Sequence, residues 1–141
     1  MTRRSLLRLL DANSNRALEG IRVCEEIVRF HLEWPRTFRQ IRALRHSIAA
    51  AVRHLPIGVA ELVRARESAQ DVGRRAPAGR VGSLERLLLM NFQRAKESLR
   101  TLEECSRLLA PTHTAAFQRL RFRTYEVERD TVLRLAALRH H

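Results

Sequence analysis

The sequence predicts an all-α protein, a helical bundle built from two duplicated αα-hairpins joined by a long connector. Three observations carry this expectation. Apolar residues recur three and four positions apart along most of the chain, and strand-like alternation never persists. Only five glycines and four prolines punctuate 141 residues, and Gly58, Gly73, Gly79 and Gly82 all fall in one region. A long stretch also occurs twice: SLLRLLDANSNRALEGIRVCEEIVRF from Ser5 aligns without a gap to SLERLLLMNFQRAKESLRTLEECSRL from Ser83.

Each element follows from these signals in chain order. A first helix is expected over about 4–32, and Pro35 marks the turn into a second over about 36–54. The region of about 55–82 reads as a connector with a short helix at GVAELVRAR. A third long helix is expected over about 83–109, Pro111 marks its turn, and a fourth follows over about 114–138. In that last helix Phe117, Leu120, Thr124, Val127 and Thr131 keep the spacing of a bundle seam. The second helices align with one residue inserted, matching Phe38 to Phe117, Ile41 to Leu120, Arg42 to Arg121 and Ile48 to Val127. The whole chain, 1–141, is thus expected to be one domain: repeat A at about 5–54, the connector, then repeat B at about 83–138.

The charge balance is strongly basic, with 27 Lys and Arg against 15 Asp and Glu, a formal net charge of +12. Lys96 is the sole lysine, so the cations are almost all guanidiniums, which suit phosphate-bearing partners. A solvated basic surface would give the same count. Cys24 and Cys105 lie inside helical patterns with no CxxC or histidine partner, which predicts reduced core thiols in a cytoplasmic protein. No apolar run approaches the roughly 18 residues of a membrane span, and MTRR before SLLRLL is too short and too soon followed by charge to be a signal peptide. The six histidines, including His140 and His141, show no metal-ligand spacing.

The duplicated helix carries an unusual stripe. At about 100° per residue, Arg16 falls in the same sector as Asn13, Ala17, Ile21 and Cys24. Repeat B sets Asn91 and Arg94 beside Ala95, Leu99 and Leu102. A buried unpaired arginine is costly, so each guanidinium is expected either to pair inside the protein or to face a wet cavity. Glu19 and Glu97 line one edge of the stripe, with Glu26 and Glu104 beyond them. Gly20 and the matching Ser98 leave room below the polar cluster, for close helix packing or for a planar ligand. An Asn amide reads heterocycle edges, Arg holds phosphate and carboxylates hold Mg2+, so the geometry expected is Asn13, Arg16, Asn91 and Arg94 around one cavity. Glu25, Arg29 and Arg107 read as surface charge. The connector adds ARESAQDVG, with Arg66, Asp71 and Gly73; no GxxxxGK[ST] loop is present.

These motifs, the repeated N-x-x-R-A-x-E-x-x-R-x-x-E-E helices and the A-R-[E/D]…D-V-G connector, resemble the small helical hydroxymethylpyrimidine-phosphate kinases of thiamine biosynthesis. That family occurs alone and fused ahead of thiamine-phosphate synthase. The resemblance spans Ser5 to about Leu133. It departs where the family's A-R-D-T is Ala65-Arg66-Glu67-Ser68, and repeat B has Leu89 where repeat A has Asp11. The resemblance implies transfer of the ATP γ-phosphate to 4-amino-5-hydroxymethyl-2-methylpyrimidine phosphate, with Mg2+ brought by the nucleotide. Arg16, Arg94, Arg66 and Asp71 are then the candidate catalytic residues. Asp11, Asn13, Glu19, Asn91, Glu97 and Arg121 are the candidate substrate contacts, with no dedicated metal site. Glu19, Glu97 and Asp71 are the carboxylates best placed for Mg2+, and the basic segment from Arg66 to Gly82 is expected to act as a lid. A homodimer or a thiamine-phosphate synthase partner fits the same reading, and no membrane partner does. The alternative is a non-catalytic basic helical module that binds RNA or a thiamine-synthesis partner protein. Against RNA, the chain is poor in aromatics and its duplicated polar residues point inward.

Overall fold

The computed structural model describes residues 2–139, so His140 and His141 lie outside the described residues. Four long helices form a bundle in which each packs on two neighbours: α1 (Arg3–Ile27), α2 (Pro35–Arg53), α4 (Leu84–Leu109) and α5 (Thr114–Leu138). A short α3 (Val59–Ala65) lies on α1. The most extensive contact joins α1 to α4, the two helices that carry the repeated stripe. α2 packs on α5, and each hairpin packs α1 on α2 and α4 on α5.

Local chemistry sets the helix ends. Thr2 caps α1 by accepting from the Ser5 amide, and Ser83 caps α4 by accepting from the Arg86 amide, both at 3.1 Å. Ser5, the repeat partner of Ser83, therefore lies inside its helix, because Thr2 starts the turn earlier. α1 ends in a π-helical turn, Val28–Leu32, and Glu33 closes it in the left-handed region at φ 58°. Trp34 then leads into Pro35 at the first turn of α2, where a missing amide costs nothing.

This turn corrects the expected register of the second helices. Pro35 and Pro111 occupy equivalent places, and Trp34 and Ala110 before them are both buried. Ile41, Leu44 and Ile48 then match Phe117, Leu120 and Thr124, all buried. Arg121 corresponds to Arg45 and not to Arg42, which is exposed. Repeat B is thus shorter at its turn than repeat A, where the π-helical widening takes up extra chain. A comparison of apolar spacing alone cannot distinguish registers one helical turn apart.

Two ion pairs make the corrected match concrete. Arg45 Nε reaches Glu25 Oε1 at 2.8 Å, and Arg121 Nε reaches Glu103 Oε1 at 2.9 Å. Glu25 and Glu103 are buried, so the expectation that Glu25 is surface charge is overturned. Each carboxylate sits in the hairpin interface and takes its compensating charge from the neighbouring helix. Arg22 and Arg100, one turn back, add weaker contacts to the same carboxylates, at 3.1 and 3.9 Å. The expectation for the cysteines fits: Cys24 and Cys105 are free and buried, and burial pushes both thiols above their ordinary pKa.

Removing one member of these pairs should be expensive. Arg121→Ala is expected to destabilise the protein by about 3 kcal/mol, because a buried carboxylate is left unpaired. Urea denaturation of that variant beside Glu103→Leu/Arg121→Leu checks the cause. The double variant should recover much of the loss, whereas equal losses would show that the arginine's packing matters and its charge does not.

Candidate functional site

α1 and α4 run antiparallel and touch closely at one point. A Cβ built on Gly20 would stand 3.0 Å from the Asn91 carbonyl oxygen and 3.5 Å from the Ala95 amide nitrogen. One turn further along, the Cys24 thiol donates to the Leu88 carbonyl at 3.5 Å. Glycine thus fits a close packing of the two helices, one of the two roles expected for it, since a methyl here would press on the α4 backbone. The same register, followed back along α1, sets Asn13 opposite Ser98, about 10 Å from Asn91 at 1.5 Å per residue.

Where the two stripes meet, they line a cleft of about 540 Å3. Asn13, Arg16 and Glu19 contribute from α1, and Asn91, Arg94 and Glu97 from α4. Six of the ten sequence candidates thus converge on one space. Asn13 and Asn91 form its buried floor. Asn13 Nδ2 donates to the Leu9 carbonyl at 2.9 Å, and Asn91 Nδ2 donates to the Leu87 carbonyl at 2.8 Å. Each amide is oriented by its own helix, which leaves Oδ1 as the acceptor on offer.

Arg16 and Arg94 differ from the expectation of a buried guanidinium. Both are exposed on the cleft walls, because a long side chain about 60° off the stripe centre reaches water. Among the described residues neither enters an ion pair, although 13 such pairs are present elsewhere. Internal pairing, the structural alternative for these arginines, is not what holds them. Glu97 accepts from Gln93 Nε2 at 2.9 Å, and Glu19 shares the exposed edge.

A second recess, of about 460 Å3, shares Asn13 and Arg16 with the cleft. Its wall is the pair of Asp11 and Arg66, with Nε to Oδ2 at 2.7 Å and Nη2 to Oδ1 at 2.8 Å. This bidentate contact, led by its hydrogen bond, pushes the Arg66 pKa above its ordinary value. It also pins the connector to α1 just after α3, with help from Arg4 on Glu67 at 2.7 Å. Asp71 lines the recess too, and its Oδ1 accepts from the Gly73 amide at 2.9 Å, forming a local turn. Beyond it, residues 71–80 are all exposed.

Arg121 is the candidate that the structure places elsewhere. It is spent on Glu103, stacks 4.8 Å from the Phe122 ring, and lines neither recess. Its sequence match to Arg42 was one turn out, so its position gave no true guide to the cleft. Val23, Thr101, Arg8 and Asn15 line these spaces and were not singled out in the sequence. A signal for them existed, since Val23 matches Thr101, and Arg8 matches Arg86, at the spacing of the repeat. Among the described residues, no group of three His, Cys, Asp or Glu is placed to hold a metal ion. No described helix is long and apolar enough to cross a membrane.

The protein is thus a four-helix bundle whose repeated inner stripes meet in a polar, guanidinium-lined cleft. The chain belongs to the ThiD2 family, whose model matches residues 8–130. Similar curated proteins include the thiamine-phosphate synthase of Synechocystis sp., 35% identical over 88% of this chain and 35% of its own length. The thiamine-phosphate synthase of Rhodopirellula baltica is 31% identical over 96% of this chain and 36% of its own. That of Nostoc sp. is 37% identical over 86% and 34%. The chain thus spans about a third of the length of these relatives. No solved structure matches it significantly.

The packing role of Gly20 gives a stability test. In a free helix Gly→Ala gains about 1 kcal/mol, but here the new methyl meets helix backbone that cannot swing aside. Gly20→Ala is expected to lower the melting temperature despite its better helix propensity. A rise would mean that α1 and α4 separate easily at this point.

Proposed function

We propose that this domain is a kinase of thiamine biosynthesis, transferring the γ-phosphate of ATP to 4-amino-5-hydroxymethyl-2-methylpyrimidine phosphate. The observation that carries the reading is the pair of unpaired guanidiniums, Arg16 and Arg94, facing one cleft above two oriented asparagine amides. Family membership and the thiamine-phosphate synthase relatives supply the metabolic context. In the reaction a phosphate oxygen of the acceptor attacks the γ-phosphorus. A new P–O–P bond forms, the bond from the γ-phosphorus to the β–γ bridging oxygen breaks, and ADP leaves with that electron pair. The acceptor phosphate is already ionised, so no side chain need remove a proton. The task is charge neutralisation and in-line positioning, which two guanidiniums on opposite helices can perform.

The residues present fit Mg2+ that arrives with nucleotide. Mg2+ takes one or two protein carboxylates and fills its other positions with water and phosphate oxygens. Glu19 and Glu97 supply that number at the cleft edge. The metal would neutralise charge on the transferring phosphates. Arg66 would add charge from the recess wall, and the exposed segment after Asp71, with Arg74, Arg75 and Arg80, would close over the phosphates as a lid and exclude water. A cytoplasmic site of action accords with the two reduced thiols and this chemistry.

The direct test is ATP consumption with the pyrimidine monophosphate as acceptor, against the unphosphorylated alcohol. ADP should form with the first, and product analysis should show the diphosphate. Arg16→Ala and Arg94→Ala should each lower kcat/KM by about a hundredfold or more, with stability changed by less than about 0.5 kcal/mol, as expected for an exposed side chain. A large loss of stability with normal specific activity would assign these arginines to the fold. Replacing 74–81 by a Gly/Ser segment tests the lid: unchanged turnover would reduce the connector to a linker.

A further inference from the structure

The two halves of the cleft are duplicates in sequence but not in surroundings. Repeat A meets the second recess through Asn13 and Arg16. The corresponding recess in repeat B lies around Ser83, Arg86 and Leu89, the partners of Ser5, Arg8 and Asp11, and is walled by Leu135 and Arg139 near the end of α5. It shares no lining residue with the cleft. The repeat A end of the cleft therefore adjoins a recess with which it shares lining residues, and the repeat B recess stands apart from the cleft. The floor is unequal as well. Antiparallel packing sets Ser98 and Thr101 beside the Asn13 half, and Gly20 and Val23 beside the Asn91 half.

Resting on the kinase reading above, we propose that the nucleoside triphosphate occupies the Asn13–Arg16 half and runs into the Asp11–Arg66 recess. The pyrimidine monophosphate occupies the Asn91–Arg94 half over Gly20 and Val23. Size gives the first reason. A nucleoside triphosphate has about twice the heavy atoms of the acceptor, and ligand pockets bury most of their ligand. Of the two recesses, only that of repeat A shares lining with the cleft and so extends it. Lining chemistry gives the second. Arg8, Arg16 and Arg66 line that path together with Asp11, Glu67 and Asp71, a mixed set that suits the phosphates and hydroxyls of a nucleotide, while the repeat B recess has Leu89 in place of Asp11. Asp11 accepts from Arg66 through both oxygens and from Asn15 at 3.4 Å, and it lines the recess with acceptor capacity that suits a ribose hydroxyl.

The other half suits a small flat ring. Val23 presents an apolar side chain there, and Gly20, whose Cβ direction faces the α4 backbone, adds none to the floor, so a planar heterocycle can lie against Val23. The Asn91 Oδ1, freed as an acceptor because Nδ2 is held by Leu87, takes a hydrogen bond from the exocyclic 4-amino group. Half of the roughly 10 Å between the asparagines is about the reach from that amine to the acceptor's phosphate, which places the phosphate between Arg94 and Arg16. The nucleotide's longer triphosphate reaches the same point from the opposite side, and its base extends past Asn13.

Steady-state kinetics with each substrate varied in turn, on variants checked for unchanged melting, test this assignment. Arg66→Ala should raise KM for ATP about tenfold or more and leave KM for the pyrimidine monophosphate within about twofold. Asn91→Ala should do the reverse. It should also erase the preference of the wild type for the 4-amino acceptor over its 4-oxo analogue, an effect that a merely structural asparagine would not produce. Val23→Phe, which fills the floor without touching Asn91, should raise KM for the pyrimidine alone and serves if Asn91→Ala does not fold. Exchanged effects, or equal effects on both substrates, overturn the assignment while leaving the kinase reading intact. Absence of phosphoryl transfer by the wild-type protein overturns the kinase reading itself.

Discussion

A close approach of α1 to α4, at Gly20 against the Asn91 carbonyl and Ala95, is the constraint on which the rest of the site depends. Two helices that carry side chains on every facing position stand far enough apart to bury their polar residues or to force them outward. A glycine on one helix and Ala17 and Ala95 at the crossing allow the backbones to approach. The polar residues at and beside this contact, Asn91 and Arg94 on α4 and Asn13 and Arg16 on α1, then line a shared cleft. Asn13 and Asn91 drop to its floor, where their own helices satisfy the amide nitrogens. The arginines lean out over it.

Such an arrangement divides the charged residues into two sets. Glu25 and Glu103 are buried and would be intolerable alone, so Arg45 and Arg121 compensate them across each hairpin. Those four residues hold α2 to α1 and α5 to α4. Arg16 and Arg94 belong to the other set. They have open walls, no carboxylate in contact among the described residues, and positions above an oriented acceptor. The same residue type thus serves the fold in one place and leaves the cleft cationic in another, and the difference lies in what faces it.

Divergence between the halves then breaks the symmetry where it matters. Leu89 in place of Asp11 leaves repeat B without an anchor for a connector arginine, and α5 covers that surface instead. Asp11 in repeat A holds Arg66 and brings the connector beside the cleft. The exchange of an aspartate for a leucine thus sets the surroundings of the two halves apart.

Much of this was legible in the sequence. The all-α class, the four long helices, the short helix in the connector and the convergence of Asn13, Arg16, Asn91 and Arg94 all follow from apolar spacing and from the repeat at Ser5 and Ser83. Helical periodicity is a local property, and a gap-free internal match carries its own record of which positions resisted change. What sequence could not determine were the relations between helices. Glu25 looked like surface charge because its partner lies on another helix, and Arg121 looked like a site residue because a one-turn slip leaves apolar spacing unchanged. The π-helical turn at Val28–Leu32 sets the true register, and only packing of α2 and α5 reveals it. Likewise the depth at which a guanidinium sits depends on how closely the neighbouring backbone approaches. That distance is fixed between helices, by Gly20 and Asn91 together, and is written in neither segment alone.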